Sequence, residues 1–382
     1  MSLDEIALYD RQIRLWGVQA QEKIRNASIL LINLRGLATE VAKNLVLAGI
    51  KCLTIVDSAV VTPADLGCQF FLTESSIGQN RAAAAAPQIR DLNPRVNVVI
   101  DTEDISLKHS SYFQKFTVVI ATNIHPDSLN IINTTTRLHN IPFYAAELHG
   151  MYGSIFADLI SHEYVISREA SNMPTKVGPE TRTRSVISAV TKKEGGKNVE
   201  MVTKCELYST WFLASDIAPL DPSITKSPRR RKAVSPLLSC FRALWQFETL
   251  QGGRYPSPTS HDDIAAFTTY ATNCQRLLNL PELKAPTLRS FLQNIGSEIA
   301  PVAAIVGGWL AQDVINVLGQ RQQPLQNFVF FDGMETEAKV YALHPDGELG
   351  GNLLPNSAPM ENGEVRAPVL PVVGGAEAIM LD

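Results

Sequence analysis

The sequence predicts an α/β fold with a doubly wound, mostly parallel sheet and a small, mainly helical inserted domain. Three observations carry that prediction. Short apolar runs alternate with helical patterns from Ala27 to Ala146. An acidic residue, Asp57, closes the second run roughly 20 residues after the turn that follows the first, the layout of a nucleotide-binding βαβ unit. Core-like sequence then returns near the C-terminus, after a long stretch of helical pattern.

The first unit opens with the apolar run ASILLINL from Ala27, turns at Arg35 and Gly36, and ends with CLTIV before Asp57. Between the two runs, Leu37, Val41, Leu45 and Ala48 recur at helical spacing, and Gly49 stands where a helix terminates in a left-handed residue. Further strands are predicted at Val96 to Ile100, Thr117 to Ala121 and Pro142 to Ala146, with helices near Arg81 to Asp91 and Asp127 to His139. Alternation of this kind builds a parallel sheet covered on both faces. Tyr152 to Leu159 and Tyr164 to Ser167 also read as strands. Arg168 to Asn198 is polar, carries TKKEGGK, and reads as a linker or mobile crossover. Helical patterns fill Ser235 to Gln293, and a helix at Ala303 to Leu318 is followed by strands at FVFFD and AKVYAL. Beyond Pro345 the Gly-, Pro- and Asn-rich tail is expected to lack fixed structure. The predicted organisation is therefore 1–167 for the first part of the main domain, 168–294 for linker and helical insertion, 295–345 for its completion, and 346–382 for a flexible tail.

Composition narrows the function. Hydrophobic residues make up 45% of the 382 and charged residues 19%, an ordinary globular balance. A net charge of -4 offers no overall attraction to nucleic acid or to an anionic membrane, so neither is expected as a partner. The apolar stretch Ile299 to Ala311 is shorter than the roughly 20 residues a bilayer requires and reads as a buried helix. The N-terminal segment lacks the basic start and apolar core of a secretory signal. Five cysteines, Cys52, Cys68, Cys205, Cys240 and Cys274, contain no C-x-x-C pair and fit a reducing compartment. His109, His125, His139 and His149 show no metal-ligand spacing. The basic cluster Arg229 to Lys232 lies between Ser227-Pro228 and Ser235-Pro236, which suits a nuclear import signal, a phosphorylation-sensitive loop, or a plain exposed charged loop.

At the nucleotide-loop position the chain reads N-L-R-G-L-A from Asn33 to Ala38, and only Gly36 remains of the glycines that let backbone amides approach a phosphate. The side chain of Arg35 is expected to crowd the α-phosphate position. The turn is read as a relic, with a working site of unusual chemistry as the other reading. Asp57 is the one residue placed to hold a ribose hydroxyl, or it merely orients a turn.

YDRQIRLWG at Tyr9 to Gly17, KNLVLAGIKCLTIVD at Lys43 to Asp57, QFF and IGQNRA between Gln69 and Ala82, LNP at Leu92 to Pro94, and FFDGM at Phe330 to Met334 occur in a particular order and spacing. Together they resemble the small, non-catalytic subunits of SUMO-activating enzymes, a branch of the ubiquitin-activating enzyme family with a Rossmann-like, ThiF/MoeB-like adenylation fold. The resemblance spans about Tyr9 to Leu343. It implies a heterodimer in which a large catalytic subunit binds ATP and magnesium, adenylates the C-terminal glycine of SUMO, and passes it through a cysteine thioester to a transient SUMO-conjugating enzyme. The same strings are shared in part with subunits serving other ubiquitin-like modifiers and with self-sufficient sulfur-carrier adenylating enzymes. A nicotinamide-dependent oxidoreductase is a reading from the βαβ unit alone, and the broken glycine loop argues against it.

In competent adenylation halves of that family the glycine loop is intact, and acidic, Asn, Arg, Lys and Asp residues hold ATP and magnesium. The matching positions here are Asn33, Arg35, Gly36 and Ala38 for the loop, Ala59 for the second acid, Asp65 and Cys68 for the asparagine and arginine, Arg81 for the lysine, and Asn123 for the late aspartate. The resemblance therefore implies a pseudo-adenylation domain that binds no cofactor alone. It also makes 168–294 similar to a catalytic-cysteine half-domain with no recognisable nucleophile, and it favours the nucleus, with the cytoplasm open as well. Arg11 matches an arginine that reaches in trans toward the partner's ATP, supported by Arg14 one turn on. Periodicity alone gives a plainer account, an amphipathic helix packed through Ile6, Tyr9, Ile13 and Trp16.

Overall fold

The computed structural model describes residues 3–353, apart from 172 and 174. Its main sheet begins with five parallel strands: β1 (Ser28–Ile32), β2 (Cys52–Val56), β3 (Asn97–Asp101), β4 (Val118–Thr122) and β5 (Phe143–His149). An antiparallel half follows, of β6 (Tyr152–Asp158), β11 (Phe328–Asp332) and β12 (Glu337–Tyr341), giving the order β12-β11-β6-β5-β4-β1-β2-β3. Strand order reverses between β1 and β4, so a crevice opens beyond their C-terminal ends.

Helices cover both faces because successive residues of each strand point to opposite sides. Ile29 and Leu31 of β1 face one core with α4 (Gly36–Leu47) and the long α12 (Ala300–Gly319), which pack against each other. The apolar stretch expected as a buried helix is the first half of α12, whose Val306, Leu310 and Val314 are buried. Leu30 and Ile32 face a second core with α6 (Pro126–Leu138), α9 (Leu237–Leu250) and α11 (Ala285–Asn294). α9 and α11, expected as helices of an insertion, thus supply the layer on the second face, with α10 (His261–Leu277) packed outside α9. Their aromatic residues, including Phe241, Trp245 and Phe291, need an apolar surface, and Phe156, Phe328 and Phe330 of the sheet provide it.

Arg168 to Asn198 is not a linker. It lies mostly in a four-stranded antiparallel sheet of β7 (Ser161–Glu169), β8 (Gly178–Pro179), β9 (Arg184–Glu194) and β10 (Lys197–Leu207). Gly195 and Gly196, at φ of 57° and 83°, make the two-residue turn joining β9 to β10, a conformation that glycine adopts without strain. Polar residues are numerous because much of this sheet faces solvent. The N-terminal segment forms α1 (Leu3–Leu8), α2 (Asp10–Trp16) and α3 (Val18–Asn26), with a break at Gly17. Tyr9 is buried there, while Ile6, expected to pack, is exposed. α5 spans Arg81–Leu92. α7 (Pro222–Thr225) and α8 (Pro228–Lys232) precede α9, and the basic cluster is the exposed α8 itself. After Pro345, a short helix, α13 (Gly347–Leu353), begins the tail expected to lack fixed structure, and 354–382 lies outside the described residues.

Within the second core, Glu147 of β5 accepts a hydrogen bond from Trp245 Nε1 at 2.5 Å, and Glu248 of α9 is buried near it. Burial first, and the charge of Glu147 second, push the Glu248 carboxyl up to about 9 from its ordinary 4.5. The folded protein therefore holds a proton that the unfolded chain releases. Stability falls as pH rises from about 4.5 to about 9. Glu248→Gln, which cannot ionise, is expected to match wild type near pH 5 and to exceed it at pH 8 by on the order of 1–3 kcal/mol in thermal or urea unfolding. Equal differences at both pH values would refute the protonated state.

Candidate functional site: a crevice filled by the chain's own side chains

The crevice at the strand-order reversal is bounded by Asn33 after β1 and Asn123 after β4. Both adopt left-handed backbone conformations, φ 69° and 49°, which asparagine tolerates better than most residues. Asn33 Nδ2 donates to the carbonyls of Thr122 at 2.7 Å and Asn123 at 3.0 Å, and Thr122 Oγ1 donates back to the Asn33 carbonyl at 2.7 Å. These bonds stitch the two sides of the crevice together.

The N-terminus of α4 points into this crevice, and its free backbone N–H groups form a ready anion site. The anion is internal. Glu298, just before α12, accepts from Gly36 N at 2.9 Å and Leu37 N at 3.1 Å, and Arg35 Nε lies 3.5 Å from the same carboxylate. Arg35 also donates to the Gly296 carbonyl at 3.1 Å. The expectation that Arg35 would crowd a phosphate is thus corrected: its side chain turns to the 296–298 segment, and the carboxylate occupies the helix terminus. Gly36 is required by a second neighbour, since a Cβ there would sit 2.4 Å from Cys68 Sγ. Burial pushes the Cys68 thiol up to about 11, with Glu298 and Glu40 adding to the shift. Ala38 is fully buried in α4.

Asp57 is equally committed. Its carboxylate accepts from Leu34 N at 2.8 Å, Ala59 N at 3.0 Å, and Arg81 at 2.7 and 3.2 Å. Arg81 further binds Asp65 at 3.0 Å and Asn33 Oδ1 at 2.5 Å. Burial disfavours the guanidinium charge, but the bond to Asp57, its charge, and then Asp65 hold Arg81 above its ordinary value. Asp65 is opposed by burial too, yet its bonds to Thr62 and the charge of Arg81 keep it below the usual carboxylate range.

The residues here do not fit ATP and magnesium. The helix terminus carries a carboxylate, the ribose-side acid is saturated by arginine, and Asn123 is neutral and bonded to the Leu148 carbonyl at 3.3 Å. Among the described residues no group of three His, Cys, Asp and Glu side chains is placed to hold a metal ion. The structure therefore brings together Asn33, Arg35, Gly36, Asp57, Ala59, Asp65, Cys68, Arg81 and Asn123 as one closed cluster. Glu298 is the member that sequence reasoning missed. It is 261 residues from Leu37 in the chain, and its only local signal is an acid shortly before an apolar helix.

Arg11 and Arg14 lie elsewhere, on α2. Arg14 pairs with Asp10 at 2.9 Å, whereas Arg11 is exposed and has no hydrogen bond or ion pair among the described residues. Burial raises the inserted-region thiols, Cys205 on β10, Cys240 on α9 and Cys274 on α10, above their ordinary value. His149 is buried, its Nδ1 accepting from Gly296 N at 3.0 Å, so it supports the Glu298 segment.

Fold and site together define a doubly wound, nucleotide-binding type of domain whose crevice is occupied by its own side chains. The chain belongs to the ThiF family, whose model matches residues 9–348. It is 39% identical over 345 residues to DNA damage tolerance protein RHC31 of Saccharomyces cerevisiae, covering 89% of this chain and 97% of that one. SUMO-activating enzyme subunit 1 of Rattus norvegicus is 36% identical over 353 residues, 90% of this chain and 96% of its own. The Homo sapiens protein of the same name is 35% identical over 351 residues, 90% and 97%. Within the ThiF family, the chain is thus a relative of SUMO-activating enzyme subunit 1 across nearly its whole length.

Two substitutions test the cluster. Arg81→Ala leaves Asp57 and Asp65 buried without their counter-charge and is expected to cost about 3–5 kcal/mol in urea unfolding. Glu298→Ala removes the cap of α4 and is expected to cost about 1–2 kcal/mol. Neutral effects would mean that the crevice is not held shut by these bonds.

Proposed function

We propose that this chain is the small, non-catalytic subunit of a heterodimeric SUMO-activating enzyme. In this reading a large partner subunit binds ATP and magnesium, adenylates the C-terminal glycine of SUMO, and carries it as a thioester to the conjugating enzyme. The chain then acts in the nucleus. The observation that carries the proposal is the filled crevice. Glu298 at the helix terminus and Arg81 on Asp57 occupy the positions a nucleotide would need, which supports assigning the adenylation chemistry to another chain. Near-full-length similarity to SUMO-activating enzyme subunit 1 supports the choice of modifier and the heterodimer.

This chain's direct contribution is Arg11. A guanidinium with no partner among the described residues can neutralise charge on the pyrophosphate leaving the partner's site through paired hydrogen bonds, with no proton transfer of its own. Arg14, one turn on and paired with Asp10 at the surface, supports it. The raised thiols of Cys205, Cys240 and Cys274 fit a thioester formed on the partner alone.

The test is ATP–pyrophosphate exchange with SUMO and a panel of other modifiers, using this chain alone and paired with a large subunit. Activity confined to the pair, and to SUMO, is the expected result. Exchange by the isolated chain would overturn the proposal. In the pair, Arg11→Ala is expected to slow single-turnover adenylation by about tenfold to a thousandfold without dissociating the dimer. An unchanged rate would remove Arg11 from the mechanism.

A further inference from the structure

Three sequence segments that the filled crevice does not use, YDRQIRLWG, KNLVLAG and LNP, meet at one point behind α2. Tyr9, at the N-cap of α2, is buried, and its hydroxyl accepts a hydrogen bond from Asn93 Nδ2 at 3.0 Å. The same Asn93 nitrogen donates to the Val46 carbonyl at 3.0 Å, and Asn93 Oδ1 accepts from Arg95 N at 3.2 Å. Asn93 is therefore fixed to the last turn of α4 and holds Tyr9 there. Gly49 makes the seat: it has φ of 80°, and a Cβ on it would lie 2.5 Å from Tyr9 Cζ and the hydroxyl oxygen. Any other residue would push the ring out.

Three more bonds set the angle of α2 against the same end of α4. Gln12 Nε2 donates to the Leu47 carbonyl at 3.1 Å. Trp16 Nε1 donates to Gln21 Oε1 at 2.7 Å, and Gln21 Nε2 donates to the Ala48 carbonyl at 3.0 Å. α2 is otherwise thinly anchored, since none of its seven residues is buried. Arg11, in its first turn, projects from a short helix fixed mainly by these contacts.

We infer that Tyr9, Gly49 and Asn93 form a clamp that positions Arg11 for its action in trans, an inference that rests on the role proposed for Arg11. Tyr9 touches no substrate in this scheme; it is a positioning residue. A reacting group displaced by about 1 Å can lose on the order of 100-fold in rate, so loosening the clamp should reduce turnover while leaving recognition of the modifier intact.

The experiment uses the assembled heterodimer and measures kcat and KM for adenylation in Tyr9→Ala, Gly49→Ala and Asn93→Ala. Each is also combined with Arg11→Ala, and Tyr9→Phe serves as the conservative variant. Hydrogen exchange of the amides of Ile13 and Gly17, bonded to the Tyr9 and Ile13 carbonyls at 2.8 and 2.7 Å, reports the order of α2 independently of activity. The expected result is a fall in kcat of about 10- to 100-fold with unchanged KM for SUMO, faster exchange in α2, and no further loss in the Arg11→Ala background. Tyr9→Phe, which keeps the ring seated on Gly49 but loses the bond to Asn93, should lose less rate than Tyr9→Ala and no more than Asn93→Ala. If Arg11→Ala is slow but the clamp variants turn over and exchange like wild type, the clamp is refuted. If they slow the enzyme by the same factor with and without Arg11, they damage the fold rather than position Arg11, and the inference is equally refuted. An Arg11→Ala enzyme with full activity would instead refute the role of Arg11 on which the clamp depends.

Discussion

The N-terminus of α4 imposes a demand that the rest of the crevice answers. It points its unpaired N–H groups into the space where strand order reverses, and a buried helix end without an acceptor is costly. Proteins that bind nucleotide there let a phosphate meet the demand. Here the carboxylate of Glu298 meets it, at 2.9 and 3.1 Å. That choice ties the entry of α12 to α4 and recruits the 294–298 segment. Gly150 N bonds the Ser297 carbonyl at 2.8 Å, and Asn294 Oδ1 accepts from Met151 N at 3.1 Å. One carboxylate thereby links the late part of the chain to the first βαβ unit.

The second half of the crevice obeys the same logic with opposite charge. Asp57 and Asp65 are both buried near the ends of β2 and the turn after it, and two buried carboxylates require a cation. Arg81 supplies it in a geometry that a lysine could not copy, because a planar guanidinium divides its donors among Asp57, Asp65 and Asn33 at once. Asn33 is then drawn toward Arg81 by its oxygen and toward β4 by its nitrogen. Its side chain joins the charged cluster to the stitch across the crevice.

Much of this was legible in the sequence. The period-3.6 pattern of Leu37, Val41 and Leu45 between two apolar runs marks β1, α4 and β2, since each element buries a face that the sequence must encode locally. Gly195 and Gly196 were equally local signals of a β-hairpin, yet the surrounding lysines made β9 and β10 read as linker; charge on a half-exposed sheet says little about its backbone. The missing glycines at Asn33 to Ala38 indicated an altered loop, but not that Glu298 meets the N-terminus of α4. Neither Glu298 nor the triple engagement of Arg81 can be read from spacing, because their partners are brought together only by the sheet.

A free arginine and a filled crevice follow from one economy of charge. Arg81 is buried with its donors divided among three acceptors, and Arg35 is drawn to Glu298 and the Gly296 carbonyl, so both guanidiniums are engaged inside the crevice. Charges that can act on a partner must stand outside the cluster, on a surface that is held in place by something other than ion pairs. α2 meets both conditions: it is seated by an aromatic ring, three amides and an indole, and its Arg14 pairs with Asp10 at the surface. Among the described residues the guanidinium of Arg11 has no partner, and its support is held by neutral hydrogen bonds, which salt screens little.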